Sequence, residues 1–160
     1  MIRGVHHTAI STPNLERALA FYRDLLGFRV VFEFAWKQGT QVADEITGLE
    51  NSAARAVMLS AGNTVIELFE YESPRPRESD PRRPVCDHGI THICLDVKDL
   101  DAEYERLEAA GMVFHCPPKD IGMGLRTTYG RDPDGNVIEL QEILDDTSPI
   151  ALREGRIGSG

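Results

Sequence analysis

The tetrapeptide Val-Ile-Glu-Leu occurs twice in this chain, at 65–68 and at 137–140, and each copy lies downstream of a histidine in a matching apolar segment. The first histidine is His7, in Val5-His6-His7-Thr8-Ala9-Ile10, and the second is His92, in Ile90-Thr91-His92-Ile93-Cys94-Leu95. A carboxylate inside an apolar strand is costly to bury unless something binds it. Two such carboxylates, each with its own histidine, point to a duplicated module whose four polar groups converge on one cation.

The two copies align along most of the chain. His92 follows His7 by 85 positions, an offset that also sets Leu95 on Ile10 and Leu100 on Leu15. Gly111 follows Gly27 by 84, and the Val-Ile-Glu-Leu segments are 72 apart. The first copy therefore carries about a dozen extra residues (84 − 72), expected between Lys37 and Ala54.

Each copy opens with a two-residue alternation, in which Ile93, Leu95 and Val97 share one face and Ile90, His92 and Cys94 the other. A helical period follows, through Leu15, Ala18, Leu19, Tyr22, Leu25 and Leu26 in the first copy and Leu100, Tyr104, Leu107 and Ala110 in the second. Thr12-Pro13 and Asp99 are the expected N-terminal signals, and Gly27 and Gly111 the left-handed C-terminal residues. Three strands complete each module: 29–36, 54–60 and 64–71, then 113–116, 125–130 and 136–142. Asp132-Pro133-Asp134-Gly135 predicts a hairpin between the last two. The fold class is α+β, two βαβββ modules built on mixed sheets. Residues 1–72 form the first module, 73–87 a Pro- and Arg-rich linker, 88–144 the second module and 145–160 a tail. The tail beyond Leu144 is expected to be poorly ordered.

Parity decides which polar groups can meet. His7 lies opposite in parity to Ile10, and Glu67 and Glu139 opposite to Ile66, Leu68, Ile138 and Leu140, the residues that must pack under the helices. His7, Glu67, His92 and Glu139 thus fall on the face away from the helices, and two sheets closing into a cup would line it with them. Two imidazoles and two carboxylates form a set suited to Ni, Co, Fe, Mn or Zn, with two octahedral positions left for a chelating substrate with vicinal oxygens. A structural zinc site would instead be closed and usually rich in cysteine. Arg126 and Tyr129 are further candidates as substrate contacts; their parity allows only one to face the cavity. Phe32, Phe34 and Trp36 alternate along one strand as a candidate apolar wall. The segment 121–124, Ile-Gly-Met-Gly, is a candidate flap.

Seventeen basic against 26 acidic side chains give a net charge of −9, which argues against nucleic-acid and anionic-membrane partners. Three cysteines without a C-x-x-C pair read as reduced thiols. No run approaches the ~18 apolar residues of a membrane span. Residues 1–4 lead straight into a strand without a secretory pattern, so a cytoplasmic protein is expected.

The segments His7-Thr8-Ala9-Ile10, Phe21-Tyr22-Arg23-Asp24-Leu25-Leu26-Gly27-Phe28 and Asp132-Pro133-Asp134-Gly135-Asn136-Val137-Ile138-Glu139-Leu140 resemble the vicinal oxygen chelate superfamily. That group includes glyoxalase I, methylmalonyl-CoA epimerase, extradiol dioxygenases and bleomycin-resistance proteins, and the resemblance covers about residues 4 to 143. It implies paired βαβββ modules in a U-shaped cup and one divalent metal held by His7, Glu67, His92 and Glu139. It also implies isomerase or lyase chemistry of the glyoxalase or epimerase type, in which a carboxylate removes a proton beside a carbonyl. Glu139 is the first candidate for that base and Glu67 the second. The alternatives are an Fe(II) extradiol dioxygenase and a metal-free, drug-sequestering binding protein. A homodimer is the oligomer expected of such relatives. Ser11 and Tyr71 stand where bacterial glyoxalase I carries an arginine and an asparagine that hold glutathione. Asn51, beside Glu50, stands where the epimerases carry a second, unligated glutamate.

Overall fold

The computed structural model describes residues 1–152, so 153–160 of the expected tail lies outside the described residues, and within 145–152 the Asp145 side chain and carbonyl accept the Thr147 and Ser148 N–H groups. The chain divides between Glu78 and Ser79 into two compact units. In the first, strands β1 (His7–Ser11), β2 (Arg29–Trp36), β3 (Ala53–Ser60) and β4 (Val65–Ser73) form a mixed sheet ordered β1-β4-β3-β2. β1 runs parallel to β4, and the other pairs are antiparallel. In the second, β5 (Ile93–Asp96), β6 (Val113–Phe114), β8 (Leu125–Arg131) and β9 (Val137–Ile143) repeat the order as β5-β9-β8-β6. A further strand, β7 (Lys119–Gly122), pairs with β8. The duplication read from the sequence is therefore a duplication of topology.

Three features add to the βαβββ pattern. The first helix is α-helical only over α1 (Leu15–Leu19) and continues as a π turn over Ala20–Leu25. Its N-cap is Asn14, whose side chain accepts the Arg17 N–H at 2.9 Å, while the Thr12 hydroxyl accepts the Asn14 N–H. The insertion holds a helix of its own, α2 (Gln41–Thr47), with none of its residues buried; Val42 and Ile46 are both exposed. All four residues of β7 are exposed, so neither element left a burial period to read. β7 also replaces the expected flap, because 122–124 is the turn of a β7–β8 hairpin, with Met123 left-handed at φ 57°.

The core of each unit lies between helix and sheet. In the first, Leu15, Ala18, Leu19 and Tyr22 cover Ile10, Leu59, Ile66 and Leu68; in the second, α3 (Leu100–Ala109) sets Leu100 and Leu107 among the buried residues with Ile138 and Leu140. Asp99 caps α3 as expected, accepting the Ala102 N–H. Each helix is also tied to its sheet by an equivalent arginine. Arg55 pairs in register with Glu70, bonds it at 2.6 Å and reaches Glu16 on α1 at 3.2 Å. Arg126 pairs in register with Glu142, lies 3.5 Å from its carboxylate and grips both Asp101 oxygens on α3 at 2.8 Å.

The second half of the linker is held against its own unit. Arg83 donates to the carbonyls of His88 and Ile90, and Arg131 donates to the carbonyl of Arg83. At the β8–β9 hairpin, Gly135 sits at φ +87°, and a Cβ there would run into the backbone of Pro81. Asp132 closes the hairpin by accepting the N–H groups of Asp134 and Asn136.

The inserted helix is anchored by Asp44. Hydrogen bonds from the Ser52 hydroxyl and N–H, then from the Asn51 N–H, hold its carboxyl below the usual aspartate range. Ser52, fully buried, accepts the indole N–H of Trp36 at 2.9 Å. A folded-state value below the unfolded one means that this stabilisation is present above about pH 4 and fades as pH falls below it. Asp44→Ala should therefore red-shift the emission of Trp36, the sole tryptophan, at neutral pH. The variant should also lack the wild-type emission change between about pH 4 and pH 2. Identical acid titrations of the two proteins would refute the anchor.

Candidate metal and proton-transfer site

The first residue of β1, His7, stands beside Glu67 on β4 because parallel pairing sets Ala9 opposite Glu67 and keeps all three on one face. His7 Nε2 lies 3.3 Å from Glu67 Oε2, the glutamate side chain being 8% exposed and the imidazole 39%. In the second unit, His92 Nε2 lies 2.9 Å from Glu139 Oε2, at 28% and 11% exposure. β5 begins at Ile93, so His92 immediately precedes the strand expected to contain it. In both units the other ring nitrogen is already engaged by the preceding residue, His7 Nδ1 with His6 Nδ1 at 2.9 Å and His92 Nδ1 with the Thr91 hydroxyl at 2.8 Å. Fixing one ring nitrogen is how proteins orient the other toward a ligand.

The donor chemistry fits a divalent ion. Two ligands at adjacent octahedral positions, each about 2.1 Å from an ion, lie about 3.0 Å apart. Each Nε2–carboxylate pair has that spacing, which also suits an imidazole–carboxylate hydrogen bond. Among the described residues, no set of three or more His, Cys, Asp or Glu side chains is grouped to hold an ion, so each unit presents a pair.

The shells around the two carboxylates differ. Glu139 Oε1 accepts the Thr127 hydroxyl at 2.6 Å, and its register partner Cys94 donates its thiol to the same carboxylate. Cys94 is exposed as a residue, yet desolvation first, then the charge of Glu139, pushes its thiol up to about 12. Tyr129 pairs in register with Glu139, and its ring centroid lies 5.0 Å from that of His92; burial, then Glu139, raises its phenol. At the equivalent registers of the first unit stand Ala9, Ala56 and Met58, none of which has a side chain to donate. The sequence pattern does not mark His6, Thr91, Cys94 or Thr127 as partners. The parity of Cys94 and Thr127 with Glu139 is legible there, but their contacts depend on strand register.

Of the two other candidates, parity admits Tyr129 to the Glu139 face. Arg126 points to the opposite face and is engaged by Asp101 and Glu142, the clamp that Arg55 forms in the first unit. In this structure Arg126 ties β8 to α3 through Asp101.

Beside Glu67 the same face of the first sheet carries five aromatic rings. A bulge between Val30 and Phe32 turns Val30 toward Leu59 and sets Phe32, Phe34 and Trp36 opposite Met58, Ala56 and Ala54. Phe34 and Trp36 stack at 6.1 Å, Phe69 and Tyr71 at 5.7 Å, and the two pairs meet edge to face. Tyr71 is thus part of an apolar wall. Asn51 is left-handed at φ 53° in an exposed turn, and Glu50 beside it is exposed.

A family model of the Glyoxalase/Bleomycin resistance protein/Dioxygenase superfamily matches residues 4–140, and the chain belongs to that superfamily. It is 30% identical over 143 residues to the uncharacterised protein YwkD of Bacillus subtilis, covering 89% of this chain and 98% of that one. It is 33% identical over 144 residues to a 2-epi-5-epi-valiolone epimerase of an Actinomyces species, covering 86% and 78%. A glyoxalase family protein of Bacillus cereus superposes with a TM-score of 0.82 at 21% identity, covering 91% of this chain and 97% of that one, a likeness of fold. No described helix is long and apolar enough to cross a membrane.

Proposed function

We propose that this chain is a divalent-metal-dependent isomerase or lyase that removes a proton from a carbon beside a carbonyl, on a small substrate with two neighbouring oxygens. The observation that carries the reading is the repeated pair, a histidine Nε2 facing a buried glutamate in each unit, with its Nδ1 engaged by the preceding residue. His7, Glu67, His92 and Glu139 are the ligand set, and Ni, Co, Zn, Mn or Fe is the ion. A bound ion would polarise the carbonyl and stabilise the developing oxyanion by several kcal/mol. The chain's own part is to hold the two imidazoles in one tautomer, to accept the proton on Glu67 or Glu139, and to shelter the apolar part of the substrate against the ring wall. The epimerase relative supports proton transfer as the reaction. The ring wall, with Ser11 at the end of β1 and Tyr71 in the wall, favours a substrate less polar than a glutathione adduct.

The second carboxylate disfavours the extradiol dioxygenase reading, which needs two histidines and one carboxylate with three open positions. In a metal-free binding protein two buried carboxylates would be a cost without a return. We place the enzyme in the cytoplasm, without nucleic-acid or membrane partners, a placement that its three free thiols and net charge of −9 support, and propose a homodimer as its assembly.

The test is equilibrium dialysis against Mn, Co, Ni and Zn, followed by a proton-exchange screen in D2O over thiohemiacetals, acyl-CoAs and catechols. One ion per chain and deuterium entering beside a carbonyl are expected. Absence of a bound ion, or oxygen uptake with catechols instead of exchange, overturns the reading.

A further inference from the structure

Resting on the proposed function for the Glu139 face as one that meets substrate, we infer that Gln141, Tyr129 and His115 determine specificity by binding the hydroxyl groups of an uncharged, polyhydroxylated substrate. Glu139 pairs in register with Tyr129, and Gln141 pairs with Thr127, two residues along each strand and on the same face. His115, just beyond β6, donates its N–H to the Tyr129 carbonyl, and the two rings lie 6.3 Å apart. At the equivalent registers of the first unit stand Phe69, Met58 and Phe32. Three positions that are apolar in one copy carry hydrogen-bonding groups in the other.

Among the described residues, the Gln141 amide, the Tyr129 phenol and the His115 imidazole have no hydrogen-bond partner. Gln141 and Tyr129 are half-buried beside the buried Glu139, where water alone does not account for a polar set, and His115 stands at the exposed edge. Each of the three can both donate and accept, and so can an alcohol. A phosphate or carboxylate only accepts, and an ammonium only donates. The charges on this face also disfavour an anion. Asp96, in register with Gln141, adds a second carboxylate to that of Glu139. Arg131 gives its guanidinium to the carbonyls of Gly135 and Arg83, and Arg126 lies on the opposite face with Asp101. Lys119, in register with Thr127 on the exposed strand β7, is one cation against two carboxylates. A carbonyl compound carrying several hydroxyls meets all three groups without setting a negative charge against Glu139 and Asp96. A face built to hydrogen-bond hydroxyls rejects the analogue lacking them, because its own groups are then left unpaired.

Three probes test the assignment: an inosose (a cyclohexanone bearing five hydroxyls), cyclohexanone itself and inorganic phosphate. Each is titrated into the full-length chain by ligand-observed NMR, in chelator and again after dialysis against Zn(II). The inosose should bind more tightly than cyclohexanone in both conditions, and phosphate should not displace it. Tyr129→Phe, Gln141→Leu and His115→Phe should each weaken the inosose by roughly 2–10-fold, the worth of one hydrogen bond, and leave cyclohexanone unchanged. A fold defect would weaken both ketones alike, and Tyr129→Phe, which removes a single oxygen, keeps the test open if another variant fails to fold. No preference for the inosose in wild type, displacement by phosphate, or the wild-type preference kept in all three variants would each overturn the assignment. A chain that loads no Zn(II) yet shows the preference, and its loss in the variants, sinks the metal-dependent reading alone. A chain that loads Zn(II) and shows no preference sinks only the substrate class.

Discussion

His92→Ala should strip the divalent ion from the purified protein, weakening binding by at least ~100-fold, since loss of a donor must exceed the 10–100-fold cost of losing an outer-shell partner. The imidazole is a proposed donor with both ring nitrogens engaged. Its Nδ1 is engaged by the Thr91 hydroxyl at 2.8 Å, and its Nε2 faces Glu139 at 2.9 Å. Its side chain is 28% exposed and lies against the Tyr129 ring, so circular dichroism should be recorded beside the metal analysis to show that the fold is kept. His88→Ala, which touches neither glutamate, should retain the ion. Elemental analysis after exhaustive dialysis reads both variants, and an unchanged metal-to-protein ratio in His92→Ala would remove it from the ligand set.

The largest loss of stability is expected from Leu68→Ala, one residue along the chain from a proposed ligand and on the opposite face. Leu68 is wholly buried beneath the first helix. Truncating such a leucine removes its transfer free energy and leaves a cavity, about 2–5 kcal/mol in comparable cores. In a unit of this size each kcal/mol is worth roughly 4–8 °C, so the melting temperature should fall by roughly 8 °C or more. Glu67→Gln is nearly isosteric and lies on the other face; it should melt within about 2 °C of wild type while losing metal affinity. Calorimetry of the two variants side by side separates the faces. A Leu68→Ala protein as stable as wild type would mean that the parity reading of β4 is wrong.

That parity was legible in the chain because a strand's two faces follow from covalent geometry alone. The alternation in Val-Ile-Glu-Leu places Ile66 and Leu68 under the helix and Glu67 away from it without reference to any tertiary contact. The hairpin at Asp132–Gly135 and the cap at Asp99 were legible for the same reason, since each is a local hydrogen-bonding problem solved by neighbours in sequence. The helix α2 and the strand β7 were not, because neither has a buried residue and hydrophobic period is written only where there is a core to face. The π turn at Ala20–Leu25 was also hidden, since its apolar spacing differs little from that of an α-helix over so few residues.

Arg126 shows where such reading ends. Its residue type and strand suited an anion contact, but register put it beside Glu142 and the packing of α3 brought Asp101 to it. Thr127 and Cys94 are the converse case, ordinary residues that become partners of Glu139 only once β8 and β5 pair with β9 at a particular offset. The sequence by itself determined that the module is doubled and which strand face each glutamate would occupy. Those properties depend on chain periodicity and side-chain type. Only the tertiary structure decided which neighbours hold each carboxylate, and so that two glutamates in identical tetrapeptides are held unequally. Cross-strand register follows from buried pattern and turn geometry taken over paired strands together, so which side chains meet across strands emerges only once those strands pair.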